Sequence, residues 1–123
     1  MGKIESILLV DDSPACNALT KIYLKKINLC DNIDAVLSAN LALEYIEKKI
    51  PSLAFIDINM PAVSGFDLLD TLKEKDLLKK MKVCVLSSSK TESDISKIKQ
   101  FKGVKYISKP VNTEKLQKFF SEL

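Results

Sequence analysis

Histidine is absent from the sequence, and so is arginine: all 19 basic residues are lysine. Without histidine there is no Ser-His or Cys-His nucleophile system and no internal phosphohistidine, so a phosphoryl group handled by this chain has to come from an outside donor. The three cysteines, Cys16, Cys30 and Cys84, show no CxxC spacing. With no imidazole beside them they indicate neither a zinc site nor a disulfide framework, and they read as reduced thiols. Long apolar runs are missing too. The N-terminal Ile7-Leu8-Leu9-Val10 is far short of the roughly 18 residues of a membrane span, and it is too short for a signal peptide. The expected location is the cytoplasm, with no membrane partner. A Met1-Gly2 start with Ser6 matches a myristoylation pattern, but it leads straight into an expected strand.

What is present fits one domain. A chain of 123 residues, 46% hydrophobic and 28% charged, can bury one core, and no linker, repeat or low-complexity tract divides it. The expectation is a single domain over 1–123 with no output domain. Charge is uneven: residues 1–78 carry 8 Lys and 12 acids, whereas 79–123 carry 11 Lys and 4 acids. A basic C-terminal half could meet nucleic acid. Solvated lysines on amphipathic helices account for it better, because base readout favours arginine and no helix-turn-helix, zinc or aromatic RNA motif is present.

Taken in order, the chain alternates short apolar runs with helical periodicity. Strands are expected at residues 6–10, 33–37, 53–56, 83–86 and 104–107. Ser13 with Pro14 opens a first helix to about Lys26, with Ala15, Ala18, Leu19, Ile22 and Tyr23 on one face. Asn40 is expected to cap a second helix carrying Leu43, Ile46 and Ile50, stopped by Pro51. Phe66, Leu69 and Leu72 mark a third. Thr91 and Asp94 resemble a capping box for a fourth through Ile95, Ile98 and Phe101. After a turn at Gly103 and the last strand, Asn112 caps a fifth helix with Leu116, Phe119, Phe120 and Leu123 on one face. Five strands alternating with five helices over short connections predict an α/β fold with a parallel sheet between two helical layers.

Polar residues gather at one end of these strands. Asp11 and Asp12 follow the first, Asp57 ends the third, Ser87 follows the fourth, and Lys109 lies just past the fifth. In doubly wound sheets this edge binds ligands where the strand order reverses. Were the order 2-1-3-4-5, three carboxylates would converge there and repel unless a cation lay among them. Oxygen-only donors with room for water suit Mg²⁺. A carboxylate in that setting can attack a phosphoryl group in line, while Lys109 and the metal neutralise its oxygens and Ser87 hydrogen-bonds one of them.

The acidic pair Asp11-Asp12, Asp57 with Met60-Pro61 and Gly65 behind it, the hydroxyl Ser87, and Lys109-Pro110 together resemble the receiver domains of bacterial-type two-component response regulators, above all stand-alone ones similar to chemotaxis regulators. The resemblance spans essentially the whole chain. It implies a flavodoxin-like (βα)5 fold with strand order 2-1-3-4-5, and Asp57 as the phosphoacceptor. It also implies Mg²⁺, with Mn²⁺ as a substitute, on Asp12 directly, Asp11 through water, Asp57, and the backbone carbonyl of Asn59. Lys109 would pair with the phosphoryl group, and its bond to Pro110 is expected to be cis. Ser87 would move toward the phosphoryl oxygens and Tyr106 would swing inward behind it, reshaping the surface of the fourth helix, fifth strand and fifth helix. Ser88 stands where Ala is frequent and Ser89 at a variable position that affects phosphoryl loss.

The implied partners are a sensor histidine kinase or phosphotransfer protein as donor and a protein target downstream, without direct nucleic-acid contact. The chain would act as a monomer or as a weak dimer formed on phosphorylation. It would be a switch that catalyses only its own phosphorylation and slow dephosphorylation. An aspartate-nucleophile phosphatase is the main rival, but that class wants a second acid two residues past the nucleophile, where this chain has Asn59. A phosphorylation-independent interaction module is disfavoured because no expected site residue is missing. Taken singly, Asp11-Asp12 would be acids at a helix start, Ser87 a cap, Lys109 a surface cation and Tyr106 core packing.

Overall fold

The computed structural model describes residues 4–60, 64–87, 92–101 and 103–122, with 92–94 as backbone only. The order is β1 (Ile7–Val10), α1 (Pro14–Ile27), β2 (Ile33–Val36), α2 (Ala39–Lys48), β3 (Leu53–Asp57), α3 (Gly65–Glu74), a 3₁₀ turn (Leu78–Lys80), β4 (Lys82–Ser87), α4 (Glu92–Lys99), β5 (Val104–Ser108) and α5 (Thr113–Ser121). All five strands are parallel, in the order 2-1-3-4-5. The myristoylation pattern at Met1-Gly2, the capping pair at Thr91 and Asp94, Pro61, Ser88, Ser89 and Leu123 lie outside what is described.

Strands β1 and β3 are buried along their whole length and β4 nearly so, which is why their sequences read as continuous apolar runs. Period-two alternation then divides the core. Leu8, Val10, Ala54, Ile56, Val83 and Val85 face α2, α3 and α4, meeting Ile46, Leu69, Leu72 and Ile98. Ile7, Leu9, Leu53, Phe55, Cys84 and Leu86 face α1 and α5, meeting Leu24, Leu116, Phe119 and Phe120. Phe55, Phe119 and Phe120 form a ring cluster with centroids 5.3–6.4 Å apart, each contact contributing about 0.5–1.5 kcal/mol beyond area burial. Edge strands β2 and β5 are only part-buried.

Several helix starts follow the sequence. The Ser13 hydroxyl accepts from the Cys16 amide with Pro14 opening α1, and Asn112 Oδ1 accepts from the Lys115 amide at 2.8 Å. Ser64 and Asp67 form a reciprocal capping box at α3. The cap of α2 differs from expectation: Ser38, not Asn40, accepts from the Leu41 amide, so the helix starts two residues earlier and Asn40 is an exposed helical residue. Its buried face is accordingly Ala39, Ala42 and Ile46, and Ile50 lies past its end, exposed.

The inward face of α1 also departs from the apolar pattern. Asn17, Thr20 and Leu24 are buried, while Ala15 and Ala18 are exposed and Leu19 and Ile22 are 46% and 51% exposed. The cause is a pair of hydrogen bonds. The Asn17 amide donates to the Asp11 carbonyl at 3.1 Å and the Val36 carbonyl at 3.2 Å, tying α1 to the ends of β1 and β2. Satisfying those buried carbonyls fixes the rotation of the helix, and the Leu19-Ile22 stripe turns outward as a result.

Candidate functional site

Neighbouring parallel strands of similar length end together, so the residues just past β1, β3, β4 and β5 share one edge of the sheet. Asp57 is the last residue of β3 and sits opposite Leu86, while Ser87, the last of β4, sits opposite Ser108 of β5. Carboxylate oxygens of Asp11, Asp12 and Asp57 all lie within 4.8 Å of one another. Asp11 and Asp57 are each 2% exposed and Asp12 is exposed. The three acids thus converge at the strand-order reversal between β1 and β3.

Each buried carboxylate has defined partners. Asp57 Oδ1 accepts from the Asn59 amide at 3.0 Å, and its Oδ2 lies 3.3 Å from Lys109 Nζ. Asp11 Oδ1 accepts from the Ser13 amide at 3.0 Å, and its Oδ2 accepts from Lys109 Nζ at 3.0 Å. One ammonium therefore bridges two of the three acids. Lys109 is itself seated by its amide, which donates to the Ser87 carbonyl at 2.8 Å. The bond from Lys109 to Pro110 is cis.

Burial pushes the Asp57 carboxyl above its ordinary range. The Asn59 amide and the Lys109 charge pull it back down, and the Asp11 charge adds to the rise. For Lys109, burial acts to lower the pKa, but the hydrogen bond it donates to Asp11 and the charges of Asp57 and Asp11 outweigh it and the net shift is upward.

Close backbone approach holds the end of β3 that carries Asp57. A Cβ on Gly65 would lie 2.6 Å from the Asp57 carbonyl oxygen and 2.6 Å from the Ile58 Cα. Only a residue without a side chain lets α3 start there. Ser87 is buried beside the site. Asn59 is exposed two residues past Asp57. Tyr106 is 39% exposed on β5, opposite Val85.

Hard oxygen donors grouped this closely, with no nitrogen or sulfur among them, fit Mg²⁺ or Mn²⁺. Two residues around the site were not legible from the sequence. Asn17 left one trace, a polar position on the helix face that turns inward. Lys115, which contacts the segment around Lys109, left none among so many lysines.

Comparison with known proteins agrees with this geometry. Residues 7–121 match the family described as the response regulator receiver domain. The chain is 30% identical to Protein PilG of Pseudomonas aeruginosa over 110 residues, covering 89% of this chain and 80% of PilG. It is 31% identical to response regulator Rcp1 of Synechocystis over 119 residues, covering 91% of this chain and 81% of Rcp1. Among solved structures, a two-component response regulator from Cytophaga hutchinsonii superposes with a TM-score of 0.88 at 32% identity, covering 98% and 96% of the two chains. The chemotaxis protein CheY4 of Vibrio cholerae shares the fold with a TM-score of 0.84 at 20% identity, covering 97% and 98%.

Proposed function

The chain belongs to the response regulator receiver domain family, and from that premise we propose that it is a switch phosphorylated on Asp57, with a histidine kinase or phosphotransfer protein as donor. The observation that carries this reading is the Lys109 ammonium, 3.0 Å from Asp11 and 3.3 Å from Asp57, at a strand edge where a third carboxylate stands within 4.8 Å.

In the transfer, a carboxylate oxygen of Asp57 forms a new bond to phosphorus as the donor's N–P bond breaks, and the electron pair leaves on the donor imidazole. The chain's own part is positioning and charge. The Asn59 amide and Lys109 oppose the rise that burial imposes on the Asp57 carboxyl, and Lys109 offers a fixed cation to the incoming phosphoryl oxygens. Asp11, Asp12 and Asp57, with the Asn59 carbonyl, would hold Mg²⁺. When bound, the ion supplies the positive charge that shields phosphoryl oxygens from the carboxylates. Ser87, buried at the end of β4 one residue past the register partner of Asp57, would supply the hydroxyl that reaches the phosphoryl group.

Phosphorylation then biases an existing equilibrium. Moving it from mostly off to mostly on needs about 5.5 kcal/mol of differential stabilisation. New contacts from Ser87 and Lys109 are the source, and Tyr106, 39% exposed on β5, is the group whose inward swing would alter the α4-β5-α5 surface for a protein partner. Asn59 supplies no acid to protonate a leaving group, which favours a retained phosphoryl over steady turnover.

The test is intact-mass spectrometry after incubation with a small phosphodonor and Mg²⁺. Wild type should gain one phosphoryl mass and Asp57→Asn none. An unmodified wild type, or an equal adduct on the variant, would reject the assignment. Sustained hydrolysis of unrelated phosphate esters would point to the phosphatase reading instead.

A further inference from the structure

Lys115 occupies a place that helix stability does not explain. It is the third residue of α5, where the amide dipoles present positive charge and a cation is unfavourable. Its amide is committed to the cap, donating to Asn112 Oδ1 at 2.8 Å. Its side chain folds back instead of entering solvent. Nζ donates to the Ser108 carbonyl at 2.9 Å, the Pro110 carbonyl at 2.9 Å and the Ser108 hydroxyl at 3.3 Å. An ammonium has three hydrogens, and here three acceptors take them.

Those acceptors flank one residue. Ser108 precedes Lys109 and Pro110 follows it, so the carbonyls on either side of Lys109 are drawn to a single cation. The Lys109 amide is meanwhile fixed to the Ser87 carbonyl at 2.8 Å. The segment is therefore held from two directions, by β4 on one side and α5 on the other, and from it the Lys109 side chain reaches out to end between Asp11 and Asp57. An exposed lysine would lose rotamer entropy in such a clamp for little return. Bonds to carbonyls from a charged donor are stronger than neutral ones and offset that loss.

We propose that Lys115 is a positioning residue for Lys109, a strut that sets the site lysine's backbone and joins it rigidly to α5. The inference rests on the phosphoacceptor reading for its chemistry, though not for its geometry. Because the strut ends on the first turn of α5, displacement of Lys109 by a phosphoryl group pulls on that helix directly. Lys115 touches neither Asp57 nor the phosphoryl position and is not a catalytic residue.

The test compares Lys115→Met, Lys115→Arg and, as a charge-matched control one turn further along α5, Lys118→Met. Lys115→Met removes the donors while keeping the length. Its maximal rate of adduct formation with a small phosphodonor should fall about tenfold, the scale expected when a charged group is slightly misplaced, while the half-saturating Mg²⁺ concentration stays within about twofold. Amide hydrogen exchange gives a readout that needs no phosphorylation: the Lys109 amide should exchange faster in Lys115→Met, with the β1 and β3 amides unchanged. Lys115→Arg should recover part of both effects and Lys118→Met should show neither. Should Lys115→Met not fold, Lys115→Gln, which removes the charge and keeps two N–H donors on a shorter side chain, carries the same comparison. Wild-type adduct rate and unaltered Lys109 exchange in the variant would overturn the inference. Absence of any adduct on wild type would instead remove the phosphoacceptor reading, and the exchange result would still decide the strut.

Discussion

Gly65 and Asp57 are locked together through their backbones: the space a side chain on Gly65 would need is already filled by the Asp57 carbonyl oxygen, 2.6 Å from the Cβ position. The Gly65 amide also donates to the Ile58 carbonyl at 3.3 Å. Backbone cannot rotate away as a side chain can, so Gly65→Ala must shift either α3 or the end of β3. A loss of about 1–3 kcal/mol is expected in urea unfolding, the range for overpacking, with slower adduct formation at Asp57 because its strand end moves. Unchanged stability would mean that α3 slides freely there.

Lys109→Met leaves Asp11 and Asp57 buried with no cation between them. Removing one partner of a buried pair costs about 3–5 kcal/mol, and because Lys109 is partly open to water the expected loss at pH 7.5 is nearer 2 kcal/mol. The pH dependence has a definite sign. Asp57 already binds its proton more tightly in the folded than in the unfolded chain, so its contribution worsens as pH rises from the unfolded carboxylate value, about 3.9, through the raised folded value. Without Lys109 that folded value climbs further. The stability gap between wild type and variant should be widest near neutrality and narrow as pH falls through the carboxylate range. A gap that widens in acid would contradict the charge-bridging role.

Asp12→Asn removes one of three like charges whose oxygens lie within 4.8 Å. In metal-free buffer the variant should melt above wild type, because repulsion at the site is reduced. Addition of Mg²⁺ should reverse the order. Wild type gains about 2.7 kcal/mol at a hundredfold excess over Kd, and the variant gains less because it has lost a ligand. Thermal melts with and without Mg²⁺ read both effects, and equal Mg²⁺ stabilisation of the two proteins would exclude Asp12 from the metal set.

Along α1 the two faces should respond oppositely to truncation. Leu24 is buried, and Leu24→Ala is expected to cost about 2–5 kcal/mol. Leu19→Ser and Ile22→Ser lie on the exposed stripe and should stay within about 0.5 kcal/mol of wild type. Equal, large losses at all three positions would restore the arrangement that hydrophobic spacing alone suggests.

That contrast shows where the sequence was readable. Strands β1, β3 and β4 were legible because both of their faces are covered, which leaves an unbroken apolar run that ends on a polar residue. Asp57 stood out because nothing in core formation calls for an acid at such a place. The caps Ser13 and Asn112 were legible because a cap depends on one side chain and the next few amides. The rotation of α1 was not, since Asn17 outweighs two alanines, a leucine and an isoleucine by satisfying carbonyls at the ends of two other strands. Apolar spacing carries no information about those carbonyls. Ser38 displaced Asn40 as the cap of α2 for a similar reason: both types can cap, and the approach from β2 decides between them. Lys115 was invisible because its partners, Ser108 and Pro110, are chosen by a chain reversal that composition does not describe.

The strand order has a mechanical consequence for the site. Asp57 terminates the middle strand of five, with β1 hydrogen-bonded on one side and β4 on the other. Lys109 hangs from β5, whose only sheet neighbour among the described residues is β4. The acid is thus mounted on the stiffest part of the sheet and the lysine on its most compliant rim. A group inserted between them would not make the two recoil equally. The centre would act as an anvil, and the rim, together with α5, would take up the displacement.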